Sequence, residues 1–354
     1  MVKKLEKILS CVILIPKTLR IELQTEGFEL MLERRFLDPE KYGVNAGRIG
    51  YWVVDSGREG PVFAALAAQH GNELCGSAAI RDFVHLAERE LQCGSFIGIP
   101  FANPPAVHRR IPNADLAPGQ PYIESACNMA SLWSSGGDLC STSGIAECLW
   151  KELLSKADYI VDMHCYPKFM APVAAARRTP ECEKLVRASA MPFVRYVPED
   201  ADWQGSIRVR ALRENKIPLG IELSGQYELY PGEVRRGFTV LSNIAKTLGM
   251  LPGEVEGTEN PPLELGPCVT VYSPGVGLFI PEERLCTGAW FGKGELLGTL
   301  LEEITLKETA VYSPEDGYIL RMPSRPDCDV ALRDHSQFVF LDDELVRILP
   351  VRQQ

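Results

Sequence analysis

Four side chains that end apolar runs are of the types that hold a divalent metal and activate water. The run Pro61–Cys75, PVFAALAAQHGNELC, stops abruptly on His70, Gly71, Asn72 and Glu73. An imidazole and a carboxylate three residues apart across a strand-to-helix turn can face one ion, and Gly71 gives the backbone the freedom such a turn requires. Zinc needs a third protein ligand. A second apolar run, Ala157–His164 (ADYIVDMH), also ends on a histidine. In open α/β sheets the carboxyl ends of strands line the binding crevice, so the two exits can converge. A third run, Ile217–Gly225 (IPLGIELSG), brings Glu222 to its end as a candidate general base. Three protein ligands leave a zinc ion one open position for water, whose pKa the metal lowers toward about 7. Asp162, two residues before His164 and on the same strand face, is a candidate to orient that imidazole. Asn72 is expected to cap the helix that follows it.

These runs carry a resemblance. His70-x-x-Glu73, Asp158-Tyr159-x-x-Asp162-x-His164 and Gly220-x-Glu222-Leu223 resemble, in order and spacing, the motifs of the succinylglutamate desuccinylase and aspartoacylase family, a branch of the zinc-carboxypeptidase fold. The resemblance covers most of the chain from about Gly60 onward. It implies an α/β fold, a zinc-carboxypeptidase-like mixed sheet flanked by helices. It further implies that His70, Glu73 and His164 hold one zinc ion per chain and that Glu222 activates water. The chemistry expected is amide hydrolysis of a small N-acylated amine or amino acid. A metallocarboxypeptidase acting on peptide C-termini and a non-catalytic zinc-binding protein are the alternatives.

The same resemblance suggests where substrate binds. The run Phe96–Pro104 ends on Asn103-Pro104, where the family also has Asn-Pro, and His108, Arg109 and Arg110 follow closely. In relatives an arginine downstream of this point helps bind a substrate carboxylate, whose two oxygens match the guanidinium fork. Asn103, Arg109 and Arg110 are therefore substrate-binding candidates, although the family arginine lies a few residues further on. The family's Asn-Leu-Asn-Arg stretch has its nearest match at Asn128–Trp133, NMASLW, with Ala130 in place of the second Asn and Ser131 in place of the Arg. Asn128 remains a candidate, and carboxylate recognition by this stretch is weakened. Arg177 and Arg178 are a weaker pair that could reach the pocket from the loop after His164.

The rest of the chain supplies the elements that would position these residues. With 354 residues, 45% hydrophobic and 24% charged, it suits a soluble globular protein of two domains. Residues 1–255 are expected to form the hydrolase domain. Residues 1–16 (MVKKLEKILSCVILIP) have too short an apolar stretch for a signal peptide and are read as a strand or leader helix. Alternating runs between Thr18 and Asp55 suggest sheet-edge strands. Ile80, Phe83, Val84, Ala87 and Leu91 mark an amphipathic helix over Gly76–Leu91 with His85 off its apolar stripe. Residues 170–202 read as loops and helix, and Ser206–Lys216 as a helix leading to the Glu222 strand.

The stretch Glu256–Pro267, EGTENPPLELGP, has the composition of a linker. Beyond it Val271-Tyr-Ser-Pro-Gly-Val-Gly277 recurs as Val311-Tyr-Ser-Pro-Glu-Asp-Gly317, predicting two similar β-units in a smaller all-β barrel or sandwich over 256–354. This part resembles a lipoyl- or biotinyl-carrier barrel. Lys307 lies one residue from the attachment place and lacks flanking methionines, so attachment is not expected. His335 reads as a surface turn residue.

A net charge of −10 without a concentrated basic run argues against nucleic acid as a partner, and no run is long enough to span a membrane. Eleven cysteines, an odd number with no Cys-x-x-Cys pair, fit a reducing cytoplasm. The expected partner is a small-molecule amide substrate, and the sequence leaves a homo-oligomer open.

Overall fold

A computed structural model describes residues 31–44, 46–116, 125–134, 141–199, 204–322 and 337–351. The leader at 1–16 and His335 lie outside the described residues.

The first part of the chain runs β1 (Met31–Leu37), β2 (Ile49–Asp55), β3 (Val62–Ala67), α1 (Cys75–Glu90), β4 (Ser95–Ile99), α2 (Pro104–Arg109), α3 (Ser141–Glu152), β5 (Tyr159–Tyr166), β6 (Val173–Ala176), α4 (Pro180–Ala188), β7 (Phe193–Tyr196), α5 (Ile207–Arg213), β8 (Ile217–Ser224), α6 (Pro231–Thr247) and β9 (Leu263–Glu264). Its strands join into one sheet in the order β1-β2-β4-β3-β5-β8-β6-β7-β9. The central strands β4, β3, β5 and β8 are mutually parallel, whereas β6 is antiparallel to β8, so the sheet is mixed.

The central strands are apolar almost throughout because both faces are covered, as buried parallel strands require. Phe63, Ala65 and Ala67 of β3 pack into one core with α1, α4 and α6, while Ala64 and Leu66 enter a second core with α3 and α5. The alternation continues on β5, where Val161, Met163 and Cys165 face the first core. Asp162 and His164 therefore project to the α3/α5 face, because successive strand residues point to opposite sides. The helix expected at Gly76–Leu91 is α1, its stripe is buried, and His85 is exposed.

The reading of 170–202 missed two strands. β6 and β7 have only four residues each, and they are ordered by pairing to β8 and to one another. Their runs, VAAA and FVRY, are too short to stand out as strands on local pattern.

Within the expected linker, β9 pairs with β7 at the sheet edge. Beyond it β10 (Val269–Tyr272), β11 (Gly277–Pro281), β12 (Trp290–Phe291), β13 (Leu296–Glu302), β14 (Glu308–Tyr312), β15 (Gly317–Arg321), β16 (Phe338–Val339) and β17 (Glu344–Pro350) form two four-stranded sheets, β10-β17-β15-β12 and β14-β13-β11-β16. The repeat is structural. In each copy a serine hydroxyl closes the Pro-x-x-Gly turn, Ser273 onto the Gly275 carbonyl and Ser313 onto the Glu315 carbonyl, both at 2.7 Å. Each turn passes the chain from one sheet to the other, so the two copies exchange sheets in opposite directions. A core of Phe279, Phe291, Leu297, Ile319, Leu345 and Ile348 fills the space between. Lys307 is exposed at the β13–β14 hairpin.

Candidate active site

The exits of β3 and β5, neighbours in the sheet, deliver His70 and His164 to the same place. After β3 the backbone turns at Ala68, which holds a left-handed φ of 56° although fully buried, a strained conformation of the kind that clusters at functional sites. Gly71 serves this turn differently from the expectation. A Cβ there would lie 2.0 Å from the Ala106 carbonyl oxygen of α2, so close approach, rather than an unusual φ, demands glycine. Asn72 does not cap α1. Leu74 holds the N-cap position, and the buried Asn72 amide has no hydrogen-bond partner among the described residues.

His70, Glu73 and His164 are all buried, and one potential ligand atom from each lies within 4.8 Å of the others. His70 Nδ1 is 2.9 Å from Glu73 Oε1, and His164 Nδ1 is 3.0 Å from Glu73 Oε2. The outer ring nitrogens decide the tautomers. Asn128 Oδ1 accepts the Ala130 backbone N–H, which fixes its amide orientation, and the same oxygen is 3.0 Å from His70 Nε2. His164 Nε2 is 3.2 Å from Asp162 Oδ2. His164 Nε2 also lies 3.3 Å from the Gln69 amide nitrogen, but the charged Asp162 carboxylate is its nearer partner, so both outer nitrogens carry protons, as supported metal-ligating histidines do.

In neutral rings both Nδ1 lone pairs would then point at carboxylate oxygens, which is repulsive unless a cation lies between them. Two imidazole nitrogens and a carboxylate are a donor set that fits zinc. Burial opposes charging His70 and His164, but Glu73 raises His70, and Asp162 together with Glu73 raises His164 well above its ordinary value. Burial likewise opposes charge on Glu73, yet the two histidines hold it far below the usual carboxylate range. Its oxygens also accept from the Cys165 backbone N–H at 3.1 Å and from Gln226 Nε2 at 3.2 Å.

Behind the histidines stands a chain of buried polar groups of which sequence reasoning picked out Asp162 and, in a different role, Asn103. Trp133 Nε1 donates to Gln69 Oε1 at 2.8 Å, and Gln69 Nε2 donates to Asp162 Oδ1 at 2.5 Å. Asn103 is fully buried here, donating to the Gln69 backbone carbonyl at 2.9 Å, so it braces the strand exit rather than facing substrate. Arg210 secures the Trp133 carbonyl at 2.6 Å and pairs with Glu147. The adjacency of Gln69 to His70 was the one available signal for this chain.

Glu222 is level with His164 in the parallel pairing of β5 and β8, so both side chains project to the same face. Burial raises its pKa, the charge of Glu73 adds to the rise, and His164 opposes it. With Glu73, His70 and His164 it lines a cavity of about 350 Å³ whose walls include Ala130, Tyr166, Ala175, Arg195, Arg208 and Gln226. Burial pushes the Tyr166 phenol up to about 12, with Glu222 adding to the shift.

Neither Arg109 nor Arg110 lines that cavity. Both are exposed; Arg109 donates to the Ala114 and Leu116 carbonyls, and Arg110 ends α2 at a left-handed φ of 59°. Arg177 and Arg178 line a different cavity, Arg178 pairing with Glu264 and Glu183. The guanidinia at the site come instead from Arg195 on β7 and Arg208 on α5. Arg208 lies on the cavity floor, its Nη1 3.0 Å from the place a Cβ would take on Gly220.

Fold and cavity define a mixed-sheet α/β protein with a candidate metal centre at the carboxyl ends of parallel strands. A sequence profile of the succinylglutamate desuccinylase/aspartoacylase catalytic domain matches residues 59–248, more than half of the 354, and the chain belongs to that family of deacylases. A search among curated protein sequences finds no match. Solved structures similar to it include the product-bound ectoine utilization protein EutE (DoeB) from Ruegeria pomeroyi, at 21% identity over 86% of this chain and 89% of that one, with a TM-score of 0.63. A succinylglutamate desuccinylase from Silicibacter sp. TM1040 aligns at 19% identity over 86% and 89%, with a TM-score of 0.64. A succinylglutamate desuccinylase/aspartoacylase from Rhodobacter sphaeroides aligns at 20% identity over 93% and 97%, with a TM-score of 0.63. At these identities the likeness establishes the fold.

Proposed function

We propose that this chain is a zinc-dependent hydrolase that cleaves the amide bond of a small N-acylated amine or amino acid. Residues 1–255 would be its catalytic unit and residues 256–354 a second, all-β unit. The observation that carries this reading is the pair of Nδ1 atoms turned toward the Glu73 carboxylate with Glu222 level beside His164.

His70, Glu73 and His164 would hold the ion. When bound, zinc supplies Lewis acidity toward a carbonyl and lowers the pKa of water. The chain supplies the remainder. Glu222, partly buried and with its pKa raised chiefly by desolvation, takes a proton from the attacking water and returns it to the leaving amine. Asp162 and Asn128 hold the two imidazoles in the tautomer that leaves Nδ1 available. Arg195 and Arg208 make the cavity receptive to an anionic substrate, and its small volume favours a small molecule over a peptide chain. Among the described residues no helix is long and apolar enough to cross a membrane.

Metal analysis tests the reading at its base. Protein expressed with zinc is expected to retain one ion per chain, and His164→Ala to lose it. A protein without bound metal, or a His164→Ala variant that keeps it, would overturn the assignment.

A further inference from the structure

The cavity floor is one row of the sheet. Asp162, Gly220, Ala175 and Arg195 are aligned across β5, β8, β6 and β7, so their side chains project to the same face. The two inner members are the smallest residues available, and the Arg208 guanidinium reaches over Gly220 between the ends of the row. Asp162 at one end is already engaged by Gln69 and His164. Arg195 at the other end reaches toward β5, where Tyr166 stands on the same face as Asp162 and His164.

Arg195 Nη2 donates to the Tyr166 hydroxyl oxygen, and its guanidinium carbon lies 5.9 Å from the centre of the phenol ring. A phenol that accepts a hydrogen bond from a cation directs its own proton elsewhere, and a guanidinium has five N–H donors of which this contact uses one. Both side chains line the cavity that holds Glu222 and the candidate metal ligands. The wall contributed by the Asn128–Trp133 stretch offers there the methyl group of Ala130. On the β5/β7 side the cavity thus presents two donor side chains joined by a hydrogen bond, with Arg208 on the floor beside them.

We propose that Tyr166 and Arg195 form a carboxylate-recognition pair that sets substrate specificity, the phenol donating to one carboxylate oxygen and the guanidinium to the other. Two donors held by a bond between them match the two coplanar oxygens of a carboxylate and lose little freedom on binding it. The carboxylate belongs to the part of the substrate away from the scissile amide. In naming a substrate the inference rests on the hydrolase reading, but carboxylate binding itself does not depend on turnover.

The test is calorimetric binding of N-acetyl-L-glutamate and of its uncharged diamide to zinc-loaded protein, with amine release followed in parallel. The native protein is expected to favour the acid by about tenfold or more, as hydrogen bonds to a charged group do. Tyr166→Phe and Arg195→Ala should each remove most of that preference, lowering acid affinity well beyond any change for the diamide, with zinc content unchanged. Arg195→Lys should restore part of it. Equal binding of acid and diamide, no binding of either, or an equal loss for both in Tyr166→Phe would overturn the pair. Amine release without acid preference would refute the pair and keep the hydrolase; acid preference without amine release would do the reverse.

Discussion

At His70 and His164 a proton and the proposed zinc ion would compete for the same lone pairs. Both histidines have raised pKa values in the metal-free protein, so their protonation stabilises the fold fully below the unfolded value near 6.5 and ceases to do so as pH climbs through the folded values. Glu73 is depressed, so its contribution is present above its unfolded value near 4.5 and is lost as pH falls through the lower folded value. The metal-free protein is therefore most favoured between those limits, and the proposed zinc would have to displace the protons. The rise in melting temperature on adding zinc is expected to be larger at about pH 8 than at about pH 6. A shift independent of pH would contradict this proton competition. Glu222→Gln keeps the shape and removes the base. It should retain zinc while kcat falls by about a hundredfold or more, which steady-state kinetics will check.

Elements explain why some of this was legible in the sequence and some was not. His70, Glu73, His164 and Glu222 could be found because each ends an apolar run long enough to be a buried strand, and parallel neighbours bring such ends together. Arg195 was not found because β7 is four residues long and is a strand only by virtue of pairing with β6 and β9. Arg109 and Arg110 were favoured by their place after Asn103-Pro104, but α2 ends there and carries them to the exposed side. Gly71 was read as a conformational need and proves to be a spatial one. Gly71→Ala should cost about 3 kcal/mol, since the methyl would meet backbone of α2, and chemical denaturation will measure it. Gly220→Ala meets the movable end of Arg208 instead. It should leave stability nearly unchanged and raise KM for an anionic substrate, whereas a large loss of stability would show that Arg208 cannot yield.

On the scale of the molecule, the β unit is joined to the cavity-bearing sheet. Leu320 and Leu349 share an apolar cluster with Ala171, Val173 and Phe193, and the Leu320 carbonyl accepts the Ala171 N–H at 2.9 Å. Met322 N–H donates to the Phe169 carbonyl, also at 2.9 Å. These bonds hold the loop that leaves Tyr166, so the second unit steadies one wall of the cavity. Ending the chain at Gly253 would uncover that cluster, and its product should melt at a lower temperature than the whole protein even with zinc bound. The central claim concerns chemistry, and amine release from a panel of N-acyl amino acids and N-acyl amines, by zinc-loaded native protein beside zinc-loaded Glu222→Gln, tests it most directly. Release by the native protein alone, with equal zinc in both, is the expected result. Equal release by the two proteins, or none from either with zinc bound, would contradict it.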